Sequence, residues 1–478
     1  MSPSVEPFNE AKYKALMDGL ECSEIYLSET QENKDFRIDS DFHTSTIFKS
    51  PYLEYLPIKD CLIQSQYGLS MSMNEDGNGY PIYRMNEIHN MLCDLEVSKY
   101  AEISPDILNK FKLNSGDVLF NRTNSYEWVG RTGIYYAGDE SRVFASYLVR
   151  FVTDPQKVLP EYFATYLNTK YGVRDIKRRS RQSINQTNVN PEEVKEIEIP
   201  LLNSDIQSLI QKCFHDAYWV LLHAEEVYKH AQLVLMEYLS IDQNTISCNN
   251  ITVKNVKDSF CTSGRLDAEY YQPKYDDYER ALHTSDSVQS LCNLYDKNFL
   301  LKDENEYPYI ELANVGTMGE ISDVEVIGGK DLPTRARRRV KKGQIIVASV
   351  EGSLQSCALI TDEFDGALCS TGFYVLDSDS INPEALLVLF KSEPIQALMK
   401  QRCSGTILTA ISKDELLGMP LPQIDTEIQK EISQKVQESF ALRHKSEQLL
   451  EYAKQAVEMA IEQGEDVAMK WLESKVSE

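Results

Sequence analysis

The amino-acid sequence repeats itself once, and this repeat limits the fold more than any other feature. Arg37-Ile38-Asp39-Ser40 is similar to Arg265-Leu266-Asp267-Ala268, which lies 228 positions later. The run Gly116–Phe120 is similar to Gly343–Val347, which lies 227 positions later. More similar pairs follow in the same order at offsets of 220 to 223: Pro160-Glu161 with Pro383-Glu384, Pro200-Leu201 with Pro420-Leu421, and Ile206-Gln207 with Ile428-Gln429. A constant order with a slowly drifting offset predicts two copies of one unit of about 225 residues.

Both copies have the same predicted internal plan. Short runs of β-type residues come first, separated by Gly, Asn and Asp, and predict strands. A short helix then begins at Pro160 or Pro383, because proline suits the first helical turn, and a strand-like run ends at Pro200 or Pro420. The sequence therefore predicts a mixed α/β (α+β) fold with two tandem pseudo-repeated domains, each followed by a long helix. The predicted bounds are 1–203 for the first domain with its N-terminal extension, 204–240 for the first long helix, 241–423 for the second domain, and 424–478 for the second long helix and C-terminal tail.

The two predicted long helices carry the pattern of a coiled coil. Ser204–Leu239 is about 50 Å long at the rise of an α-helix. Asp425–Ile461 has a similar apolar stripe, which Ser439 and Ser446 weaken near its middle. Equal length and equal position in both copies favour an antiparallel coiled coil between the two helices, and the alternative is that each helix packs only on its own domain. Two adjacent rows repeat every seven residues along the first helix: Ile206, Cys213, Val220, Val227 and Val234, and Ile210, Ala217, Ala224, Ala231 and Tyr238.

The charge of the chain restricts how it can bind a nucleic acid. Its 478 residues include 49 Lys and Arg against 74 Asp and Glu, for a formal net charge of −25. Bulk charge therefore cannot hold it on DNA, and any DNA contact must come from local basic patches. The sequence has no apolar run of membrane-spanning length and no N-terminal secretory pattern, so we expect a cytoplasmic protein without a membrane partner.

The sequence lacks the common signatures of catalysis and of metal binding. It contains no phosphate-binding loop, no Asn-Pro-Pro-aromatic methyltransferase motif, no GxGxxG, no GxSxG and no HExxH. The ten cysteines form no CxxC pair, and His215, His223 and His230 are spaced too widely for a typical zinc site. We therefore expect a non-catalytic chain that binds neither a metal nor a cofactor itself.

Basic clusters within each copy are the candidate DNA-binding segments. Arg and Lys suit phosphate oxygens, while Asn, Gln, Ser, Thr and Arg can also bond to base edges. The alternative is an ordinary solvated surface, which is the usual role of a charge run. The candidates in the first copy are Asn121, Arg122, Thr123, Asn124, Lys177, Arg178, Arg179, Arg181, Gln182, Ser183 and Asn185. Those in the second copy are Arg335, Arg337, Arg338, Arg339, Lys341, Ser353, Arg402, Ser404 and Thr406.

Three stretches of local sequence, together with the two-copy plan, carry a family resemblance. They are Tyr80–Ile88, Leu113–Thr123 with its Gly-Asp-Val-Leu-Phe-Asn-Arg-Thr run, and Arg181–Val189 leading to Ile-Pro-Leu at 199–201. In these features the chain resembles the specificity subunit of type I restriction–modification systems over nearly its whole length. The second copy matches less literally, because Glu311 stands in place of Arg84 and Ala348–Glu351 contain no counterpart of Arg122.

The resemblance implies a concrete role. Each domain would be a target-recognition domain that reads one half of a bipartite site on double-stranded DNA, with Arg84 as one more DNA-binding residue. The helices would set the spacing between the halves. The implied partners are two methyltransferase subunits, which would bind S-adenosylmethionine, and optionally a translocating restriction nuclease subunit. The chain itself would bind no cofactor.

Two other classes of function stay open at this point. The first is an acidic scaffold or DNA-mimic inhibitor, which would occupy a DNA-processing partner without reading DNA. In such a protein Asp and Glu side chains should cover the surfaces of both domains, and the basic run from Arg335 to Lys342 argues against this. The second is a cryptic nuclease or methyltransferase, which the missing motifs oppose.

Overall fold

The computed structural model describes residues 9–18, 20, 24–32, 36–44, 47–184, 186–249, 251–405 and 409–477. The chain forms two compact units, which we call the first unit (residues 1–220 with 445–478) and the second unit (residues 221–444). Each unit thus contains part of both long helices. Nowhere in the described ranges is a helix both long enough and apolar enough to cross a membrane.

Short strands and helices precede the first long helix. The helices are α1 (Glu10–Met17), α2 (Leu27–Glu32), α3 (Ser40–Thr44), α4 (Pro105–Phe111), α5 (Pro160–Asn168), α6 (Lys170–Arg179), α7 (Pro191–Val194) and the long α8 (Ser204–Leu239). The strands are β1 (Tyr55–Pro57), β2 (Leu62–Tyr67), β3 (Tyr80–Tyr83), β4 (Ile88–His89), β5 (Leu92–Cys93), β6 (Tyr100–Ala101), β7 (Val118–Asn121), β8 (Thr123–Asn124), β9 (Thr132–Ile134), β10 (Val143–Phe144), β11 (Leu148–Thr153), β12 (Arg181–Gln182), β13 (Thr187–Asn188) and β14 (Glu198–Pro200).

The rest of the chain has a similar order of elements. The helices are α9 (Phe260–Ser263), α10 (Pro273–Ala281), α11 (Val288–Leu291), α12 (Pro383–Lys391), α13 (Glu393–Arg402), α14 (Lys413–Leu417), the long α15 (Thr426–Gln463) and α16 (Glu465–Ser477). The strands are β15 (Asn293–Leu294), β16 (Glu306–Ile310), β17 (Glu325–Gly328), β18 (Ala336–Arg339), β19 (Ile345–Ala348), β20 (Cys357–Leu359), β21 (Leu368–Ser370), β22 (Phe373–Asp377), β23 (Cys403–Ser404) and β24 (Ala410–Ile411).

The sheets confirm that the two copies share a fold. In the first unit four strands lie in the order β2-β11-β7-β9, within a sheet that β5 and β4 extend. In the second unit the strands β15-β22-β19-β20 lie in the corresponding order. A parallel pair is also repeated, β3 with β10 and β16 with β21. The mixed α/β class and the tandem repeat predicted from the sequence are therefore confirmed.

The central strand of each sheet is buried along its whole length. All four residues of β7 and all four of β19 are inaccessible to solvent, which explains their nearly unbroken apolar sequences. A strand that is covered on both faces has no solvent side on which polar residues could alternate. Asn121 is the polar exception in β7, and a hydrogen bond of its side-chain amide is described below.

One buried glutamine in each unit joins the start of a long helix to the start of a short one. The Gln207 Oε1 accepts the backbone N–H of Leu159, and its Nε2 donates to the carbonyl of Leu202, each at 2.8 Å. The Gln429 Oε1 accepts the N–H of Asn382 at 2.8 Å, and its Nε2 donates to the Ile424 and Ser380 carbonyls. Leu159 and Asn382 are the N-caps of α5 and α12. The amide thus satisfies buried backbone groups that lie outside the regular elements.

The long helices pair in both units, and their polar seam residues are bonded. In the first unit the Ser446 Oγ donates to the Ala217 carbonyl at 2.8 Å, and in the second unit the Ser439 Oγ donates to the Ala224 carbonyl at 2.7 Å. From the first contact to the second, α8 advances by seven residues, from Ala217 to Ala224, while α15 goes back by seven, from Ser446 to Ser439. Two helices whose contacts run in opposite directions along the chain are antiparallel. The predicted antiparallel pairing is confirmed. The expectation that the two serines weaken the stripe is wrong, because both are buried and reach carbonyls across the seam.

Loss of either buried glutamine should destabilise its unit. We expect Gln207→Leu and Gln429→Leu each to lower the free energy of unfolding by about 1–3 kcal/mol, because buried backbone groups lose their partners. Urea unfolding followed by circular dichroism measures the loss. Gln455→Leu is the control, since its exposed amide bonds only to Glu451 of its own helix, and it should change stability by about 0.5 kcal/mol or less. Equal losses in all three variants would contradict the assignment.

The seam should tolerate loss of a hydroxyl better than added volume. In Ser439→Ala the Ala224 carbonyl keeps its intrahelical bond, so we expect little change in thermal stability. Ala224→Leu forces a large side chain against Ser439 and should cost about 1–3 kcal/mol. Thermal unfolding of both variants is compared with His230→Leu, at an exposed position of α8. The close-packed seam is disproved if Ala224→Leu and His230→Leu melt alike.

Candidate nucleic-acid interface

The fold brings together two segments that are far apart in the first copy. The hairpin β12–β13 adds to β8, which directly follows the buried strand β7. Thr187 pairs with Asn124 and Asn188 pairs with Thr123. The Thr123 Oγ1 also donates to the Asn188 Oδ1 at 2.7 Å. The polar turn after β7 and the polar stretch after α6, which the sequence presents as separate candidates, therefore form one small sheet.

The second unit builds the same arrangement. Strands β23 and β24 pair after α13, and Ala410 of β24 forms a bridge with Val350, just beyond β19. The N–H of Ile411 donates to the Ser349 carbonyl at 2.8 Å, and the N–H of Glu351 donates to the Thr409 carbonyl at 3.0 Å. By position Glu351 corresponds to Asn124, so the two units carry different chemistry at an equivalent place.

The hairpin of the first unit presents polar and apolar side chains to solvent. Gln182 and Ser183 are exposed, and Ile184 at the tip is fully exposed. The Ser183 Oγ donates to the Gln186 carbonyl at 2.9 Å, which tightens the turn. In the second hairpin Ser404 is exposed. Asn185 and Thr406, both predicted DNA contacts, lie outside the residues that the structure describes.

The arginines that precede this hairpin form an ion-pair network. The Nε atoms of Arg178 and Arg179 donate to the Asp175 Oδ1, at 2.6 and 3.0 Å. Arg181 donates to the Glu193 Oε1 at 2.8 Å and keeps 53% of its side chain exposed. Arg179 is buried. The sequence predicts these arginines as phosphate contacts. In the structure Arg178 and Arg179 bind a carboxylate of their own helix α6, and Arg181 joins the start of the hairpin to α7.

Arg37 and Arg265, which the sequence offers only as marks of the repeat, extend this network in each unit. Arg37 donates to the Arg179 carbonyl at 2.9 Å, and Arg265 donates to the Cys403 carbonyl, also at 2.9 Å. Each also binds a carboxylate two residues later, and this hydrogen bond lowers the pKa of Asp39 and of Asp267. The same clamp therefore fixes the start of both hairpins.

Lys177 is committed to the loop that follows β8. Its Nζ donates to the carbonyls of Tyr126, Glu127 and Val129, the latter two at 3.0 and 3.1 Å. These three bonds use every donor of an ammonium group. Burial lowers the pKa of Lys177 to about 8. The side chain positions the loop, whether or not it also meets DNA.

The remaining candidates of the first unit are partly engaged within the protein. Asn121 is buried and its Nδ2 donates to the Met85 carbonyl at 3.1 Å. Arg84 binds the Glu87 carboxylate and donates to the Ser98 Oγ at 2.9 Å. Arg122 lies over the ring of Tyr67 and is described further below.

The basic residues from Arg335 to Lys341 in the second unit differ in what they contact. Arg335 binds the Glu311 carboxylate at 2.9 Å, and Arg337 donates to the Thr334 carbonyl at 2.8 Å. Arg339 lies over the Phe299 ring, and Lys341 is exposed. Arg402 lies elsewhere, buried against Leu398, Gln401 and Glu279. Ser353 lines a cavity of about 730 Å³ together with Lys274, Lys391 and Lys400.

No group of three or more His, Cys, Asp or Glu residues within the described ranges has the arrangement of a metal site. The structure shows instead two small hydrogen-bonded sheets, and in each of them an arginine clamp fixes the start of the hairpin. Such surfaces can present donors and acceptors to a polar polymer.

Comparison with known proteins shows what part of this chain is similar to. Residues 59–224 match the model of the type I restriction modification DNA specificity domain. The putative type I restriction enzyme MjaX specificity subunit of Methanocaldococcus jannaschii is 30% identical over 165 residues, which are 34% of this chain and 39% of the relative. The type I restriction enzyme EcoKI specificity subunit of Escherichia coli is 31% identical over 116 residues, 24% of this chain and 25% of the relative. The matched segments thus span less than half of either relative.

A solved structure with the same description aligns over more of the chain. The S subunit of a type I restriction–modification system from M. genitalium covers 88% of this chain and 96% of its own, at 14% identity and a TM-score of 0.33. At this score the superposition adds nothing to the fold argument, which rests on the repeated sheets themselves. The matched domain and the specificity-subunit relatives agree with the resemblance seen in the sequence: residues 59–224 match the type I restriction modification DNA specificity domain, and the chain is similar to specificity subunits of type I restriction–modification systems.

Proposed function

We propose that this chain reads DNA sequence for a type I restriction–modification complex or a related defence methyltransferase complex. The observation that carries the proposal is the duplicated small sheet, in which the turn after β7 or β19 pairs with the hairpin after α6 or α13. Each unit would read one half of a bipartite site. Exposed groups such as the Gln182 amide would face base edges, and the network around Arg181 would hold them in place.

The partners follow from the same proposal. Double-stranded DNA is the substrate that is read, and two methyltransferase subunits would carry S-adenosylmethionine and the chemistry. A translocating nuclease subunit is an optional further partner. The chain itself would be non-catalytic and would bind no cofactor. Its net charge of −25 supports a division of labour in which the partners supply much of the phosphate-binding surface.

Selection from a pool of randomised duplexes tests the proposal. The full chain, together with the methyltransferase subunits that copurify with it, should enrich duplexes with two short defined segments separated by a spacer of constant length and variable sequence. Binding should weaken steeply with salt, because phosphate contacts release counterions. Enrichment of a single segment would refute the bipartite reading, and no enrichment at any salt concentration would refute sequence recognition.

Exposed and buried residues of the first hairpin region should respond differently to substitution. We expect Gln182→Ala to leave thermal stability unchanged and to relax preference in one segment only, by about 1–3 kcal/mol for a lost paired contact to a base. Arg179→Leu should lower the free energy of unfolding by about 1–3 kcal/mol, because Asp175 loses a charged hydrogen bond but keeps Arg178. Thermal melts and selection from the same pool measure both effects. If Gln182→Ala selects the parental sequence, the hairpin is not a reading element.

A further inference from the structure

Two arginines in the candidate interface retain buried donors without a partner. The Nε of Arg122 in the first unit, and both Nε and Nη1 of Arg338 in the second, are inaccessible to solvent and find no hydrogen-bond partner among the described residues. These particular N–H groups cannot be reached from outside, but both side chains are only partly buried. Because no carboxylate of the described residues forms an ion pair with either arginine, the accessible part of each guanidinium can meet an acceptor from outside the chain.

Arg122 covers an aromatic ring at the end of the first central sheet. It follows β7, and its guanidinium carbon lies 5.3 Å from the ring centre of Tyr67. Its Nη1 donates to the Ser146 carbonyl at 3.3 Å. Tyr67 is the cross-strand partner of Val149 in β11. The ring and the guanidinium therefore lie beside Val149, next to the small sheet that contains Thr123.

Arg338 reaches the corresponding place in the second unit from a different part of the chain. Ser349 occupies the position equivalent to Arg122 and cannot supply a cation. Arg338 comes instead from β18, in the other sheet of this unit, and its guanidinium carbon lies 5.6 Å from the ring centre of Tyr374. Tyr374 corresponds to Val149, because it pairs with Val347 of β19 as Val149 pairs with Phe120 of β7. Tyr374 also donates to the Ile411 carbonyl of the second hairpin at 2.9 Å.

We propose that Arg122 and Arg338 are functional counterparts, each being the arginine that binds a pair of acceptor atoms on DNA in its own unit. The inference rests on the proposed function and assigns one residue per unit within it. The acceptors are either two phosphate oxygens or O6 and N7 of a guanine, since a guanidinium fork fits both. Each guanidinium also lies within cation–π distance of a tyrosine ring, which favours its place beside that ring before DNA arrives.

The other arginines of the candidate interface are less suited to this task. Arg178, Arg179 and Arg335 each donate to a carboxylate, and DNA would have to compete with that partner. Arg402 is buried and bound to Glu279. Near Arg338, the carboxylate of Asp296 is bound by Lys413. Arg122 and Arg338 form no ion pair with a carboxylate among the described residues, so neither has to give up such a partner when it binds DNA.

The test measures DNA binding by the full chain with its copurified methyltransferase, using the duplex selected by the parent protein. Arg122→Ala and Arg338→Ala should each weaken binding about tenfold or more. If the acceptor is guanine, each should also relax preference, and in a different segment of the site. Arg174→Ala in the first unit and Arg280→Ala in the second remove exposed arginines and should bind like the parent. Thermal melts check that every variant is folded.

The lysine variants identify the acceptor and keep the test valid if an alanine variant unfolds. Lysine keeps the charge but not the fork. If the acceptor is phosphate, Arg122→Lys and Arg338→Lys should retain the parental salt dependence and lose little affinity. If it is guanine, both should lose preference at one base pair, and 7-deazaguanine at that pair should weaken the parent to the same extent.

Two results would overturn the assignment of Arg122 and Arg338, and only one of them would also overturn the proposed function. If the parent selects a sequence but the Arg122 and Arg338 variants bind it like the Arg174 and Arg280 controls, the assignment fails and the proposed function stands. If the parent selects no sequence, the proposed function fails and the assignment fails with it.

Discussion

A buried amide hydrogen-bonded to backbone groups is the interaction on which the rest of each unit depends. Gln207 and Gln429 lie in the first turn of the long helices and bond to the N-caps of α5 and α12. Because such a bond is directional and its loss is costly inside a protein, it fixes the angle at which the helix leaves the unit. The short helix that it fixes leads, through α6 or α13, to the hairpin of the candidate interface. The position of the hairpin thus depends on a contact between one residue before it and one after it, each about 20 positions away in the chain.

Much of the fold could be predicted because its causes are local. The predicted helix Ser204–Leu239 agrees with α8 at both ends, since a heptad pattern and a polar boundary are properties of the segment itself. The two-copy plan could be read from matching short motifs. Ser439 and Ser446 were misread because a serine in an apolar stripe looks like a defect in one helix. Its hydrogen bond to a carbonyl, which allows the hydroxyl to be buried, depends on a second helix that the local pattern does not describe.

The candidate site was harder to predict, for a related reason. A run such as Arg178–Arg181 shows where cations are dense but not where their partners lie. Asp175 is close in sequence, whereas Glu193 and Arg37 meet the run only in the folded chain. Arg338 shows the limit most clearly, because it stands at no position that matches Arg122. Its proposed equivalence depends on its distance from the Tyr374 ring and on the register of β19 with β22, which only the folded sheet provides.

The difference between Asn124 and Glu351 at equivalent positions has a consequence for the orientation of the protein on DNA. An amide can donate or accept, whereas a carboxylate only accepts and repels phosphate, so two units that differ in this way favour different bases. On the proposed function the two halves of the target are then unlike, and the site is not a palindrome. A reader of such a site can dock in only one of its two orientations. Every occurrence of the target along a chromosome would therefore have a defined orientation, and the bound complex would distinguish one strand from the other before any enzyme acts.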